Sequence, residues 1–300
     1  MADRRLQVFR AVAKQLSFTK AADTLFMTQP AVTFQIKQLE EHFNMRLFER
    51  GAGRISLTPA GDLVLDYAER ILGLSGELET RLAEMGGQMN GPLLIGASTT
   101  IAEFILPPIL GEFNALYPQV RAKLTVANSE TIEARVAGHA LDIGLIETQS
   151  KLSGLEVEMC CNDELQVICA PDHPLAGFPE IAPAMLLEYA FISREPGSGT
   201  REVTDAYLRA GGVTPEKMKT LMELGSPEAL KGVVGTGLGF AIVSRSSFCK
   251  EIELGSLVAR PLKPRLIRTL SIVYPKEKFR SRIVNAFVEF TRKNLKEFSV

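Results

Sequence analysis

Two short stretches carry the side chains best placed for chemistry. GASTT at 96–100 puts Ser98, Thr99 and Thr100 where an apolar strand pattern runs into a helix, and EPGSGTR at 195–201 puts Ser198, Thr200 and Arg201 on a glycine-rich turn opening the helix REVTDAYLRA. Hydroxyls and free amides at a helix start suit an anion, because the first N–H groups have no intrahelical partner and the dipole is positive there. Glu147, at the end of LDIGLIE, brings a carboxylate that repels an anion when unprotected and keeps an amine-bearing ligand open. Nucleophilic catalysis by Ser98 or Ser198 is disfavoured. The chain has no GxSxG elbow, and no motif ties His42, His139 or His173 to either serine. Glycine-rich turns are weak evidence alone, so these residues mark a ligand region only when their fold is known.

The three histidines are far apart, and Cys160, Cys161, Cys169 and Cys249 show neither CxxC spacing nor the density of a disulfide scaffold. They read as reduced, mostly buried thiols, and no metal or cofactor is expected. With 46% hydrophobic and 23% charged residues, the 300-residue chain has material for two or three domains. It opens MADRRLQVFRAV, without a signal-peptide run, and no stretch approaches the ~18 apolar residues of a membrane span. The expectation is a soluble cytoplasmic protein. Charge is uneven: residues 1–58 hold nine bases and five acids, so they carry +4, leaving −5 on the rest of a chain whose net charge is −1. That asymmetry points to an N-terminal piece that meets a polyanion.

The elements that must position these residues follow from periodicity. Leu6, Phe9, Val12, Ala13 and Leu16 form a helical stripe. Ser17 caps a short second helix, FTKAADTLF, which turns Ala21, Ala22 and Leu25 inward. Thr28 caps a third, with Pro30 in its first turn, and Val32, Ile36, Leu39 and Phe43 form its buried stripe. Gln29, Pro30, Thr33, Phe34 and Lys37 therefore face outward. LFER and RISLT can pair across Gly51 and Gly53 with Arg50 and Arg54 flanking the tip, which completes a helix-turn-helix with a wing. A long helix from Pro59 repeats Val64, Ile71, Leu78 and Met85 every seven residues, with Ala68, Leu74 and Leu82 near the intermediate positions, a pattern for pairing with its twin. GGQMNGP at 86–92 reads as a hinge. Beyond it PLLIGA, VRAKLTVA, LDIGLIE, ELQVICA, AFIS, GFAIVS and TLSIVYP read as strands alternating with helices, an α/β domain with a mainly parallel sheet in two lobes.

Over essentially its whole length the chain resembles the LysR-type transcriptional regulators. The residues that carry the resemblance are FTKAADTLFMTQPAVTFQIKQLEEHFNMRLFER, RISLTPAG, LPPILGEFNALYPQV, LDIGLIE, APDHPLA, GSGTR and GLGFAIVS, in that order. The resemblance implies a multidomain α+β and α/β chain: a winged helix-turn-helix at 1–58, a dimerising linker helix at 59–86, a hinge at 87–92 and an effector domain at 93–300. That domain would be like a type 2 periplasmic binding protein, with one lobe near 93–162 and 267–300 and the other near 163–266. It further implies double-stranded operator DNA and RNA polymerase as partners, a homodimer assembled into a homotetramer, no membrane association, and a small metabolite held between the lobes. Thr28, Gln29, Pro30, Thr33, Phe34 and Lys37 would read DNA, with Arg50 and Arg54 on phosphate or in the minor groove. Ser98, Thr99, Thr100, Glu147, Ser198, Thr200 and Arg201 would meet the effector. ASTT followed by EFILP resembles the branch governing sulfur assimilation, which implies a sulfur-containing anion. Thr33 and Phe34 depart from the family's usual serine followed by arginine or lysine; Phe34 would exchange phosphate contact for apolar contact with a thymine methyl or sugar edge, or else fold down against Pro30 or Gln38 on its own helix. An enzyme or a transporter's solute-binding protein using the C-terminal fold are the rival readings, both disfavoured.

Overall fold

The computed structural model describes residues 3–51, 54–85, 89–148, 150, 152–276 and 280–295. They form two compact units, Met1–Gln88 with the short segment Gly138–Ala140, and Met89–Ala137 with Leu141–Val300.

The first unit contains α1 (Arg4–Gln15), α2 (Phe18–Leu25), α3 (Gln29–Phe43), β1 (Phe48–Gly51), β2 (Arg54–Leu57) and α4 (Pro59–Met85). Each short helix begins on a capping side chain: Asp3 accepts from the Arg5 amide, Ser17 from Lys20 and Thr28 from Ala31. Each ends on a residue in the left-handed region, Leu16, Phe26 and Asn44. The core gathers Val8, Phe9, Val12, Ala21, Val32, Ile36, Leu39, Leu47 and Phe48, with Phe48 against both Phe9 and Phe18. Glu40 accepts from the Leu47 and Phe48 amides at 2.8 and 3.3 Å, fixing the start of the ribbon to α3. β1 and β2 pair antiparallel, with Gly51 opposite Arg54.

Three assignments at element ends differ from expectation. Leu16 and Phe43 are exposed, because each sits where its helix terminates and the stripe no longer faces the core. The seven-residue repeat of α4 is divided: Val64 and Ala68 pack into the unit's own core, while Leu63, Tyr67, Ile71, Leu74, Leu78 and Leu82 are exposed. The side chain of Met85 lies outside the described residues.

The second unit is built on eight strands in the order β4-β3-β5-β10-β6-β9-β7-β8. They are β3 (Gly91–Ser98), β4 (Val120–Ala127), β5 (Ile143–Ile146), β6 (Leu155–Cys169), β7 (Ala190–Arg194), β8 (Lys219–Leu224), β9 (Phe240–Ser244) and β10 (Val258–Pro275). The sheet is mixed. β3 pairs parallel with β4 and β5, and β7 with β8 and β9, whereas β10 runs antiparallel to β5 and β6, and β6 to β9. A mainly parallel sheet was expected from the alternation of strands with helices, and β3, β4, β5 and β7, β8, β9 do pair in parallel; β6 and β10 extend well beyond the apolar segments that announce them, and their antiparallel ladder crosses the middle of the sheet.

Helices cover each half. α5 (Leu106–Leu116) and α10 (Arg282–Leu295) pack on one side of the β3 half, with Phe113 edge-on to Phe287, and α6 (Ser129–Ala137) sits over Val273 and Ile146. α7 (Gly199–Ala210) and α8 (Pro227–Gly235) serve the β9 half, and α9 (Cys249–Glu253) follows β9. Between β3 and α5 lies a π-helical turn, Ile101–Ile105. The Leu106 N–H closes it onto the Ile101 carbonyl five residues back, and Pro107 and Pro108, which follow, have no N–H to donate to Glu103 or Phe104.

Candidate functional site

Two sets of residues matter, one in each unit. On α3, Gln29, Pro30, Phe34 and Lys37 are exposed and Thr33 is half-buried, all on the face away from Val32, Ile36 and Leu39. Gln29 donates to the Thr33 hydroxyl at 3.2 Å, one helical turn on, and Lys37 lies 3.6 Å from Glu41. Thr28 is spent as the cap. Phe34 is 57% exposed on this outward face. Sequence reasoning missed Phe26, which is 98% exposed at the turn between α2 and α3. Its left-handed backbone (φ 53°) aims it out of the core, and only a prediction of that cap conformation would have found it. The backbones of Arg50 and Arg54 lie on the two ribbon strands, but their side chains are outside the described residues.

In the second unit the predicted residues fall into three surroundings. Ser98, Glu147 and Thr200 are buried together at strand and helix ends from both halves of the sheet. Ser98 donates to Glu147 Oε1 at 2.9 Å and Thr200 to Oε2 at 3.1 Å. The Thr100 hydroxyl, also buried, helps to hold the pKa of this carboxylate down. Behind them stands Arg268 of β10, which nothing in its local sequence singles out. Its guanidinium lies 2.9 Å from Glu147 and 2.7 Å from Asp163 of β6, and it donates to Thr200 at 2.9 Å. Ser244, ending β9, completes the set with a 2.7 Å bond to Asp163. Glu147 is therefore a paired carboxylate, which corrects the picture of an unprotected charge facing the ligand. Burial pushes its pKa up, but the Arg268 charge, the Thr100 hydroxyl, Arg194 and Ser98 outweigh that and hold it below the ordinary value.

Two glycines make this closeness sterically possible. A Cβ on Gly199 would lie 2.8 Å from the Glu147 Cβ, and Gly197 has φ +81° beside Asn128. Across the same junction Asn128 donates to the Pro196 carbonyl at 3.3 Å.

The second surrounding belongs to Thr99. Arg194, at the end of β7 and 4% exposed in its side chain, reaches the Thr99 hydroxyl at 3.3 Å and the Gly225 carbonyl at 3.4 Å. The third is an open groove of about 580 Å³ that contains Ser198 and Arg201 among Glu130, Glu133, Glu202 and Asp205. Ser198 is buried without a partner for its hydroxyl. Arg201 is committed to Glu223 at 2.5 Å and to the Arg194 carbonyl at 3.0 Å. His173 is occupied elsewhere, accepting from the Leu175 amide. Burial pushes the Cys160, Cys161 and Cys169 thiols up to about 11, 12 and 11, leaving them protonated at neutral pH.

A helix-turn-helix with an exposed third helix, joined in one chain to a bilobed α/β domain whose strand ends converge on buried polar groups, defines a DNA-binding regulator with a ligand domain. Residues 4–62 match the model of the bacterial regulatory helix-turn-helix protein, lysR family, and residues 86–296 match the LysR substrate binding domain. The chain belongs to the LysR-type transcriptional regulators. It is 37% identical over 287 residues to a probable RuBisCO transcriptional regulator of Porphyra purpurea, covering 94% of this chain and 90% of that one. Its fold is similar to that of full-length CbnR complexed with target DNA, at a TM-score of 0.70 and 22% identity, covering 98% of this chain and all of CbnR. The CcmR regulatory domain of Synechocystis PCC6803 in complex with 2-PG is similar over 70% of this chain and all of that domain, with a TM-score of 0.64 and 29% identity.

Proposed function

We propose that the chain binds operator DNA through α3 and the β1–β2 ribbon, and is switched by a small anion between the two halves of its C-terminal unit. The observation that carries the reading is the exposed face of α3. Gln29 can offer paired hydrogen bonds to adenine, Thr33 and Lys37 serve phosphate or base, and Phe34 suits a thymine methyl. Arg50 and Arg54 supply charge from the ribbon. The exposed apolar side chains of α4, from Leu63 to Leu82, support a homodimer through that helix, assembled as a homotetramer that engages RNA polymerase in the cytoplasm. The lobes are 93–162 with 267–300, and 163–266, moving about the crossing strands β6 and β10.

For the effector, Ser98, Thr99, Thr100, Glu147, Ser198, Thr200 and Arg201 frame the junction, and the neutralised Glu147 removes the main objection to an anion. Arg194 is the cation beside Thr99. Sulfur-containing anions and 2-PG are the candidates, the latter because it is bound by the similar CcmR domain. Among the described residues no histidine bonds to this network, and the Ser98 hydroxyl is spent on Glu147, which favours a site that binds over one that catalyses. Genome-wide footprinting tests the first half by naming the regulated genes, RuBisCO genes among them or not. A thermal-shift screen with sulfate, sulfite, thiosulfate, O-acetylserine and 2-PG tests the second, and silence from all five removes the anion reading.

A further inference from the structure

Arg194 and Glu195 are neighbours in sequence, and in a continuing strand their side chains would point to opposite faces. β7 ends at Arg194, and the chain turns there, with the Ser198 amide donating to the Glu195 carbonyl. The turn folds the Glu195 carboxylate back onto the guanidinium. Nε meets Oε2 at 2.9 Å and Nη2 meets Oε1 at 3.1 Å, the two-pronged arrangement in which an arginine receives a carboxylate or sulfate from solution. The pair is asymmetric in exposure: the Arg194 side chain is 4% exposed and that of Glu195 26%. The cation is thus part of the protein interior, tied to Thr99 and to the Gly225 carbonyl, while the anion approaches from the solvent side.

Resting on the reading of this junction as an anion site, we propose that Glu195 is a built-in competitor for the effector. Its carboxylate occupies the fork of Arg194, and an anionic effector binds by replacing it, leaving Arg194 and Thr99 in place. The carboxylate sets the concentration at which the protein responds and excludes weakly coordinating anions. Arg268 cannot play this part, because Glu147 and Asp163 already neutralise it inside the fold.

The test is isothermal titration of sulfate, thiosulfate and 2-PG into the full-length protein and its Glu195→Gln and Arg194→Ala variants. The proposal expects Glu195→Gln to bind about two- to fivefold more tightly than the parent, the range of a partly exposed ion pair, and Arg194→Ala to lose binding. Equal affinity of parent and Glu195→Gln, with binding lost in Arg194→Ala, overturns the competition but keeps Arg194 in the anion site. Binding that survives Arg194→Ala overturns both. If neither the parent nor Glu195→Gln binds any of the three, the proposal fails, since removing the competitor should have unmasked the fork.

Discussion

The exposed face of α3 and the buried junction of the C-terminal unit hold similar residue types under opposite conditions. On α3 the glutamine and lysine stand in solvent and the threonine is half-buried, held by a 3.2 Å contact and a loose 3.6 Å ion pair. At the junction, serine, threonine, glutamate and arginine are out of water and already bonded to each other. Polar groups in solvent can be changed with little effect on the fold, because water replaces any lost partner. Buried ones cannot, because each loss strands a partner without water. DNA recognition and ligand response are thus open to substitution to very different degrees.

Breaking this contrast starts with Arg268. Arg268→Ala leaves Glu147 and Asp163 buried without compensation and should cost about 3–5 kcal/mol, read by denaturant unfolding. A loss below about 1 kcal/mol would mean that water or another cation reaches the carboxylates. Gly199→Ala comes next, at about 1–3 kcal/mol, since the added methyl meets the Glu147 Cβ at 2.8 Å. The Arg268 charge, the Thr100 hydroxyl, Arg194 and the Ser98 hydroxyl depress the folded pKa of Glu147 against its burial, so its stabilisation is complete above the ordinary value of 4.5 and is lost as pH falls through the folded one. Unfolding of the parent followed from pH 6 to pH 3 should steepen below about pH 4.5, and Glu147→Gln should flatten that part of the curve. The smallest effect on stability belongs to Phe34→Arg, within about 0.5 kcal/mol of the parent, with stronger binding to DNA of any sequence and a blunted thymine preference at one half-site position. An unchanged sequence preference would make Phe34 merely structural.

The sequence showed α3, its cap and its outward face, because helix periodicity and capping are local. It did not show the ends: Leu16, Phe26 and Phe43 turn outward where helices terminate in the left-handed region, a backbone choice these side chains do not advertise. Glu147, Ser98 and Thr200 were legible as positions in a pattern. Their partner Arg268 was not, because it lies 121 residues beyond Glu147 on a strand whose cation reads like any surface charge in RLIRTL. Only the pairing of β10 with β6, which sets Arg268 opposite Asp163, brings the charges together. β8 was missed for a related reason: KTLMEL is an exposed edge strand without the apolar run that marks the others.

The central claim is that the exposed face of α3 reads sequence. Fluorescence anisotropy with a fragment of the protein's own promoter and a scrambled fragment, for the parent and Gln29→Ala at matched salt, tests it most directly. The account predicts that the parent prefers the promoter and that Gln29→Ala loses about 1–3 kcal/mol of that preference while keeping its affinity for the scrambled DNA. An unchanged preference in Gln29→Ala, or none in the parent, would contradict it.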